Sequence, residues 1–474
     1  MFPAQGIAEV EMSAHPPAHP RPPRLPGGMP WIGHARQFGR DPVAFLRRGR
    51  ELAGDIYSFT LLGQEVVFVC GPAVAETFFR ADEVVLSPKH AYRFMSPVFG
   101  EGIAYDAEPD IMDEQLGFVR PALASARLHR YAELMSGEAE DYFDGWGHQG
   151  EADLGKALNE LTVAIASRCL IGEEFRQRLK SELPGLYQDL ESGIRLAALI
   201  NPYLPLPAFR RRDRARRRIA DTIGQIVAER RRDSAGCEER ADLLSVLMSA
   251  RYTSGEPLPD ETIAGVLLAL IFAGQHTSAV LAAWTGVLLL EHPEHLPPLI
   301  EEIDTLFSND STIDLRALQR LERLERCVRE AERLHPPLVL LMRKALQAIE
   351  LGGRRVDPGT LVMLSPGVSH RLPSLFRDPD RYDPSRYGPG REEGKSAYSL
   401  IGFGGGKHRC IGLAFAYQQV KIIWAVLLRR FELELGQSPN PADYSTMIPG
   451  PRAPCLVRYR SRDLASTTAA LGEQ

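Results

Sequence analysis

No two cysteines in this chain are spaced as CxxC. The six present, Cys70, Cys169, Cys237, Cys327, Cys410 and Cys455, are scattered. That excludes a structural zinc motif of the ribbon type and the dense disulfide framework of small secreted domains. Reduced thiols in a cytosolic protein are expected instead. A charge excess is also missing: 56 Lys and Arg against 61 Asp and Glu leave −5 over 474 residues. Bulk electrostatics therefore name no partner. The one basic run, Arg210–Arg218 with Arg230–Arg232, is poor in aromatics. Asp213, Asp221, Glu229 and Asp233 are interleaved with it, which is the pattern of a solvated helix face and not of a nucleic-acid site. No basic N-terminal segment leads into an apolar run, so neither a signal peptide nor a transmembrane anchor is expected. Even the most apolar stretch, Ile263–Leu290, is interrupted at its centre by Gln275, His276, Thr277 and Ser278. Its length would cross a bilayer. Its polar middle reads better as a buried helix beside a polar site. A soluble, cytoplasmic protein is the expectation.

Residues 14–28, AHPPAHPRPPRLPGG, are proline-rich and expected to be extended. Between about 30 and 100, short β-rich runs such as IYSFTLLGQEVVFVC dominate, with Gly54 and Gly63 at turn positions. From about 110 to 350 the apolar spacing is helical. Residues 351–370 return to short strands, and 371–405 form an irregular stretch rich in Pro, Asp, Arg and Gly. A helix is expected from about Gly412 to Phe431, followed by strand-like pieces. No internal repeat is present. The pattern predicts a mostly α fold with small β-sheets: one domain over 29–462, a proline-rich tail over 1–28 and a polar tail over 463–474.

Three constellations carry chemistry. The first is Phe403-Gly404-Gly405-Gly406-Lys407-His408-Arg409-Cys410-Ile411-Gly412. A lone cysteine is usually a small core residue. Here glycines let the backbone pass close to a flat, bulky object, and Cys410 stands just before a helix whose N–H groups and dipole favour a thiolate. The second is Glu330-Ala331-Glu332-Arg333, in which Glu330 and Arg333 share a helix face. Alone, such a pair is usually a surface contact of little energetic weight. The third is Ala273-Gly274-Gln275-His276-Thr277-Ser278. A mid-helix glycine costs about 1 kcal/mol against alanine, which points to a need for space or a helix distortion there.

Together these resemble the cytochrome P-450 superfamily. FGGGKHRCIG matches its heme-binding signature FxxGxxxCxG, and EAER its ExxR. AGQHTS matches its AGxxT. The resemblance implies heme b with Cys410 as axial thiolate, seated by Phe403 and Gly404. It implies a buried triad of Glu330, Arg333 and Arg386, the last in RYDPSRY, although Arg386 alone reads as a surface arginine. Thr277 is implied to orient dioxygen and a water. His276, where most relatives carry an acid, is placed to relay protons. The alternative is a packed histidine.

Histidine at that position is a mark of sterol 14α-demethylases, and other segments are similar to that family. They are YRFMSPVFGEGIAYD (92–106), LPLPAFRRRDRARRR (204–218), RLHPPLVLLMRKA (333–345) and YSTMIPGP (444–451). The likeness runs from about residue 25 to 461. It implies that Tyr92, Arg343 and His408 bond heme propionates. It also implies a sterol cavity lined by Tyr92, Phe94, Met95, Phe99, Tyr105, Ala273, Leu338, Leu340 and Met447. In the family, the position of Phe94 is linked to the number of C4 methyl groups on the sterol, and phenylalanine suggests C4-monomethyl substrates. Leu116 and Gly117 stand where many members carry basic residues, and Arg120 is placed to compensate. Ile103, Ser96 and Gly402 replace the usual valine, threonine and proline.

The implied reaction uses O2 and electrons from NAD(P)H. The electrons arrive through a separate reductase and a ferredoxin-type donor, which would dock on a basic patch including Lys407, Arg429 and Arg430. Three oxidations remove the sterol 14α-methyl group as formate and leave a C14–C15 double bond. Two rivals remain: a P-450 acting on another polycyclic terpenoid or another sterol position, and a sterol-binding or heme-sensing protein without turnover.

Overall fold

The computed structural model describes residues 19–462 apart from 195–196, 199–200, 234–241, 308–312, 314 and 392. Residues 1–18 and 463–474, and with them most of the first tail and the whole second one, lie outside the described residues, as does Cys237.

The run IYSFTLLGQEVVFV makes a hairpin of β1 (Ile56–Leu61) and β2 (Gln64–Val69). Its two-residue turn has Leu62 at φ +50° and Gly63 at φ +78°, the left-handed pair that matches strand twist. Helices flank this hairpin where strands were expected: α1 (Pro42–Ala53) and α2 (Pro72–Arg80). Both begin on a proline at the first helical position, and Asp41 caps α1 by accepting the Ala44 N–H at 2.8 Å. These start signals outweigh the β-branched content between them. β3 (Leu86–Ser87) follows, and β4 (Gln149–Asp153) lies among the helices. β5 (Leu341–Ala345), β6 (Ile349–Leu351), β7 (Arg354–Val356) and β8 (Leu361–Leu364) come next, and β9 (Phe431–Leu435) and β10 (Leu456–Ser461) close the chain. One sheet has the order β1-β2-β8-β5-β3, a second β4-β10-β9, and β6 pairs with β7. Before β1, the chain is laid along the sheet edge. Arg24 bridges Ser58, the Leu25 N–H donates to the Ser58 carbonyl at 2.8 Å, and Leu25 is buried.

The helices that frame the site are α3 (Pro109–Val119), α4 (Ser125–Asp144), α5 (Leu154–Leu170) and α6 (Leu183–Ser192). α7 (Pro207–Arg232), α8 (Asp260–Glu291), α9 (Glu322–Leu334) and α10 (Leu413–Arg430) complete the frame. α8 packs against α5, α7, α9 and α10. Outside its first turn, its last residue and the polar stretch 275–278 it is apolar on nearly every side, as an interior helix must be. Its Trp284 indole donates to the Pro449 carbonyl at 3.0 Å, and Trp424 on α10 donates to the Ala282 carbonyl at 2.9 Å. Both α8 and 406–430 are long and apolar enough to cross a membrane, but 72% of each apolar window is buried inside the protein. The basic face of α7 is largely exposed, with two exceptions: Arg212 and Arg230 are buried. Arg230 is held by Glu174 and by Asp242 at 2.8 Å, and Arg212 by Asp213 and the Pro202 carbonyl.

α9 joins the irregular 371–405 segment through buried charge. Glu330, Arg333 and Arg386 are each fully buried. Arg333 donates to both Glu330 oxygens at 2.8 Å, and Arg386 Nε to Glu330 Oε1 at 2.9 Å. The Tyr387 hydroxyl and the Asp383 N–H also donate to Glu330. The spare guanidinium donors go to carbonyls of His370, Pro379 and Arg381 from Arg333, and of Arg377 and Arg381 from Arg386. Arg386 also reaches Glu393 at 2.6 Å. Removing one partner strands the others. Arg386→Met is expected to cost about 3–5 kcal/mol, read as a lowered urea midpoint. A loss under about 1 kcal/mol would place the network outside the stabilising core.

Candidate active site

The loop 401–412 is anchored at its base by the Ile401 N–H, which donates to His370 Nε2 at 2.8 Å. Burial pushes the His370 imidazole down to about 3. It is therefore neutral, with Nδ1 donating to the Arg333 carbonyl at 3.2 Å. The loop closes on itself through the Cys410 N–H to the Phe403 carbonyl at 2.9 Å. Two of the glycines meet a neighbouring helix. A Cβ on Gly406 would lie 2.6 Å from the Phe79 carbonyl oxygen, and one on Gly405 would lie 2.8 Å from the Phe79 ring. They seat the loop against α2. Gly404 and Gly406 also hold positive φ, +71° and +60°.

Of the five described cysteines, four are buried and only Cys410 is accessible. Burial still pushes its thiol upward. The Gly412 N–H opposes that shift, the Glu332 carboxyl adds to it and Arg409 opposes it. The helix terminus expected to favour a thiolate thus loses to desolvation. A cation bound to the sulfur would supply the difference.

Around this loop lie the predicted polar residues. Tyr92 stacks on Tyr105 at 4.8 Å, and its hydroxyl accepts the Met342 N–H at 3.1 Å. Burial, with Tyr92 nearby, raises Tyr105 to about 12, and its surroundings include Arg343 and Cys410. Arg343 is buried over the Phe78 ring and donates to the Met342 carbonyl at 2.9 Å. It has no carboxylate partner among the described residues. His408 Nε2 lies 2.9 Å from Glu83 Oε1, a partner that sequence spacing gave no means of finding. Arg120 is exposed on the turn after α3. Lys407 is paired with Asp113 at 2.9 Å and Arg430 with Asp144. The anticipated docking patch is therefore largely engaged within the chain.

On α8, Ala273 is accessible although Ile271, Phe272 and Gln275 around it are buried. Beyond its own stretch of helix, no atom lies within 4 Å of a Cβ built on Gly274. The expected space is present. The expected distortion is not: the helix runs unbroken, and the Thr277 hydroxyl donates to the Ala273 carbonyl at 2.5 Å, an ordinary one-turn back-bond. His276 Nε2 is 3.1 Å from Glu191 Oε1 on α6, close enough for an ion pair but not aligned as a hydrogen bond. Sequence reasoning missed Glu191, because only packing brings α6 to α8.

Glu191 also lines a cavity of about 920 Å³ with Phe94, Leu338, Leu340, Met342 and Met447. Four of the nine residues expected at a sterol site are therefore on its wall. Phe99 is instead packed on Phe272 at 5.8 Å, in the core. Met95 is half-buried. A second cleft, of about 790 Å³, is lined by Phe403, Gly404 and Arg409 of the cysteine loop together with Glu332 and Tyr417.

The family model for cytochrome P450 matches residues 22–456. The chain belongs to the cytochrome P450 family. Curated relatives of this P450 include the sterol 14-demethylase of Arabidopsis thaliana, 38% identical over 94% of this chain and 92% of that one. The sterol 14alpha-demethylase of Mycobacterium tuberculosis is 37% identical over 93% and 98%. The lanosterol 14-alpha demethylase of Mus musculus is 36% identical over 96% and 91%. In fold, the cytochrome P450DA heme domain superposes with a TM-score of 0.82 at 22% identity, over 94% of this chain and 99% of that one.

As a P450 the protein is a heme-thiolate monooxygenase, with iron held by a cysteine sulfur. Its residues fit that group. One thiol is accessible, the Gly274 position on α8 faces open space, and among the described residues the buried Arg343 cation lacks a carboxylate. An unpaired buried cation is costly and suits an anionic propionate. Gly406→Ala is expected to reduce the heme retained per chain, because the new Cβ meets backbone of α2 and L-residues at positive φ cost about 1–2 kcal/mol. The heme-to-protein absorbance ratio measures this. An unchanged ratio would show that the loop yields.

Proposed function

We propose that this P450 removes the 14α-methyl group of a sterol, with Cys410 as the iron ligand. The observation that carries the reading is a large, mainly apolar cavity whose wall includes Phe94, Leu338, Leu340 and Met447, in a chain whose Cys410 is accessible. Such a cavity suits a rigid polycyclic ligand. The 14-demethylase relatives support the same substrate class.

Thiolate-ligated heme supplies the oxygen activation, since a thiolate favours O–O cleavage. The chain's own residues do the rest. Arg343, Tyr92 and His408 hold the propionate edge. Phe94 presses on the sterol near C4 and favours C4-monomethyl substrates. Ala273 and Gly274 leave space beside the reacting methyl group. Glu191 holds His276 so that its ring carries protons toward Thr277, whose hydroxyl must turn from the Ala273 carbonyl to donate into the site. Apolar walls exclude water from the substrate. Arg120 is a reserve contact for a propionate. A ferredoxin-type donor is the proposed source of electrons, with its own NAD(P)H reductase. The enzyme is proposed to be soluble and cytoplasmic, since its two long apolar helices spend their apolar surface inside the fold.

Titration of the ferric protein with lanosterol and with a C4-monomethyl sterol tests the substrate class. A saturable low-to-high-spin shift, tighter for the monomethyl sterol, is expected, with formate and a C14–C15 unsaturated product on turnover. No shift with either sterol would redirect the assignment to another terpenoid. Cys410→Ser should abolish the thiolate band of the carbonyl complex, and a retained band would remove the ligand assignment. Glu191→Gln and His276→Ala should each slow turnover by about 100-fold or more while sterol binding persists. Unchanged turnover would leave both residues as packing only.

A further inference from the structure

The motif that supplies Glu330 and Arg333 carries a second acid. Glu332 takes no part in the buried ion network and sits apart from it at 4% exposure. Its Oε2 accepts the Tyr417 hydroxyl of α10 at 2.5 Å. Its Oε1 lies 2.5 Å from where a Cβ on Gly402 would stand. The carboxyl therefore occupies the space that a side chain at 402 would fill. Three features meet here: an acid inside the helix motif, a glycine before Phe403, and a tyrosine on α10 that donates to the acid.

Glu332 has no ion-pair partner within 4.0 Å among the described residues. The groups that face it are few. Arg329 on its own helix lies over the Tyr387 ring at 4.8 Å, and Tyr387 donates to Glu330. Arg409 comes from the cysteine loop. From α10 come Tyr417 and Lys421, the latter bonded to Glu325 at 3.0 Å. Lys395 stands on the wall of the 790 Å³ cleft that Glu332 also lines. Burial raises the carboxyl to about 7, and the Tyr417 hydrogen bond, Arg329 and Arg409 offset only part of that shift. Its charge acts on the Cys410 sulfur, as one of the effects that push that thiol upward.

We propose that Glu332 is a positioning residue for electron transfer, acting through Cys410: its carboxylate takes a proton from solvent through this cleft as the heme iron takes an electron. The electron comes from the redox partner. The proton comes from water in the cleft, and the new O–H bond forms on Glu332 Oε1, since Oε2 is engaged by Tyr417. One negative charge arrives at the iron and one is neutralised beside its thiolate, so the local charge is unchanged. A carboxylate that stayed ionised would oppose the added electron in a low-dielectric site. This inference rests on the heme-thiolate reading of Cys410.

The test is spectroelectrochemical titration of the Fe(III)/Fe(II) couple in the full-length heme-loaded protein, between about pH 5.5 and 8.5, a range that brackets the carboxyl. The thiolate band of the carbonyl complex is checked first. The wild-type reduction constant should fall at least about tenfold across the range, which for one electron is about 59 mV. Glu332→Gln should make the potential independent of pH. Tyr417→Phe removes the donor to the carboxylate, so the sloping region should move to higher pH. A wild-type potential that is flat with pH, or a slope that survives in Glu332→Gln, overturns the proposal. If Glu332→Gln does not retain heme, Tyr417→Phe decides, and an unmoved slope overturns it. A wild-type carbonyl complex without the thiolate band would overturn the heme-thiolate reading itself, and the proposal with it.

Discussion

The buried ion network of Glu330, Arg333 and Arg386 is the constraint on which the rest of the site depends. Two fully buried guanidinium groups share one fully buried carboxylate, and Glu393 balances the second positive charge. Arg333 holds the His370 carbonyl, and the neutral His370 ring then accepts the Ile401 N–H at the root of the cysteine loop. A continuous path of hydrogen bonds thus runs from α9 to the segment that ends in Cys410. Buried ion pairs of this kind rarely add net stability over apolar packing. What they add is a single geometry, because any other arrangement of the 371–405 segment leaves a charge unsolvated.

That geometry explains why an irregular segment holds its shape. With hardly any regular secondary structure of its own, it lends carbonyls of Arg377, Pro379 and Arg381 to the arginines. Backbone groups that a helix or sheet would pair internally are paired here with side-chain donors. The loop is then pressed on α2, where Gly405 and Gly406 meet Phe79. The position of Cys410 is fixed from two sides, by charge below and by packing alongside.

Much of this was legible in the sequence because it is local. FGGGKHRC, EAER and AGQHT are contiguous, and each carries its chemistry within one turn or loop. The partners that were not legible are distant in sequence. Glu191 reaches His276 only because α6 packs near α8, and Glu83 meets His408 through the seating of the loop. The approach of Gly405 and Gly406 to Phe79 on a neighbouring helix was likewise hidden, because Phe79 is distant in sequence. The helices Pro42–Ala53 and Pro72–Arg80 were hidden by the β-branched runs around them, although Asp41, Pro42 and Pro72 are recognisable start signals. Lys407 and Arg430 looked like free cations because their carboxylate partners, Asp113 and Asp144, lie on other elements.

The extended segment before β1 has a consequence for the molecule outside its chemistry. β1 is the outer strand of the five-stranded sheet, and the opposite edge, β3, is only two residues long. A short edge offers little to a second chain, whereas a six-residue edge is a template for one. Pro23 and Leu25 occupy part of that template: the Leu25 N–H donates to the Ser58 carbonyl and the Ser58 N–H to the Pro23 carbonyl. The residues that read as a mere proline-rich leader into the domain therefore cover the first half of that edge, Ile32 to His34 cover its end, and clipping the leader would bare the Ser58 N–H and carbonyl to solvent.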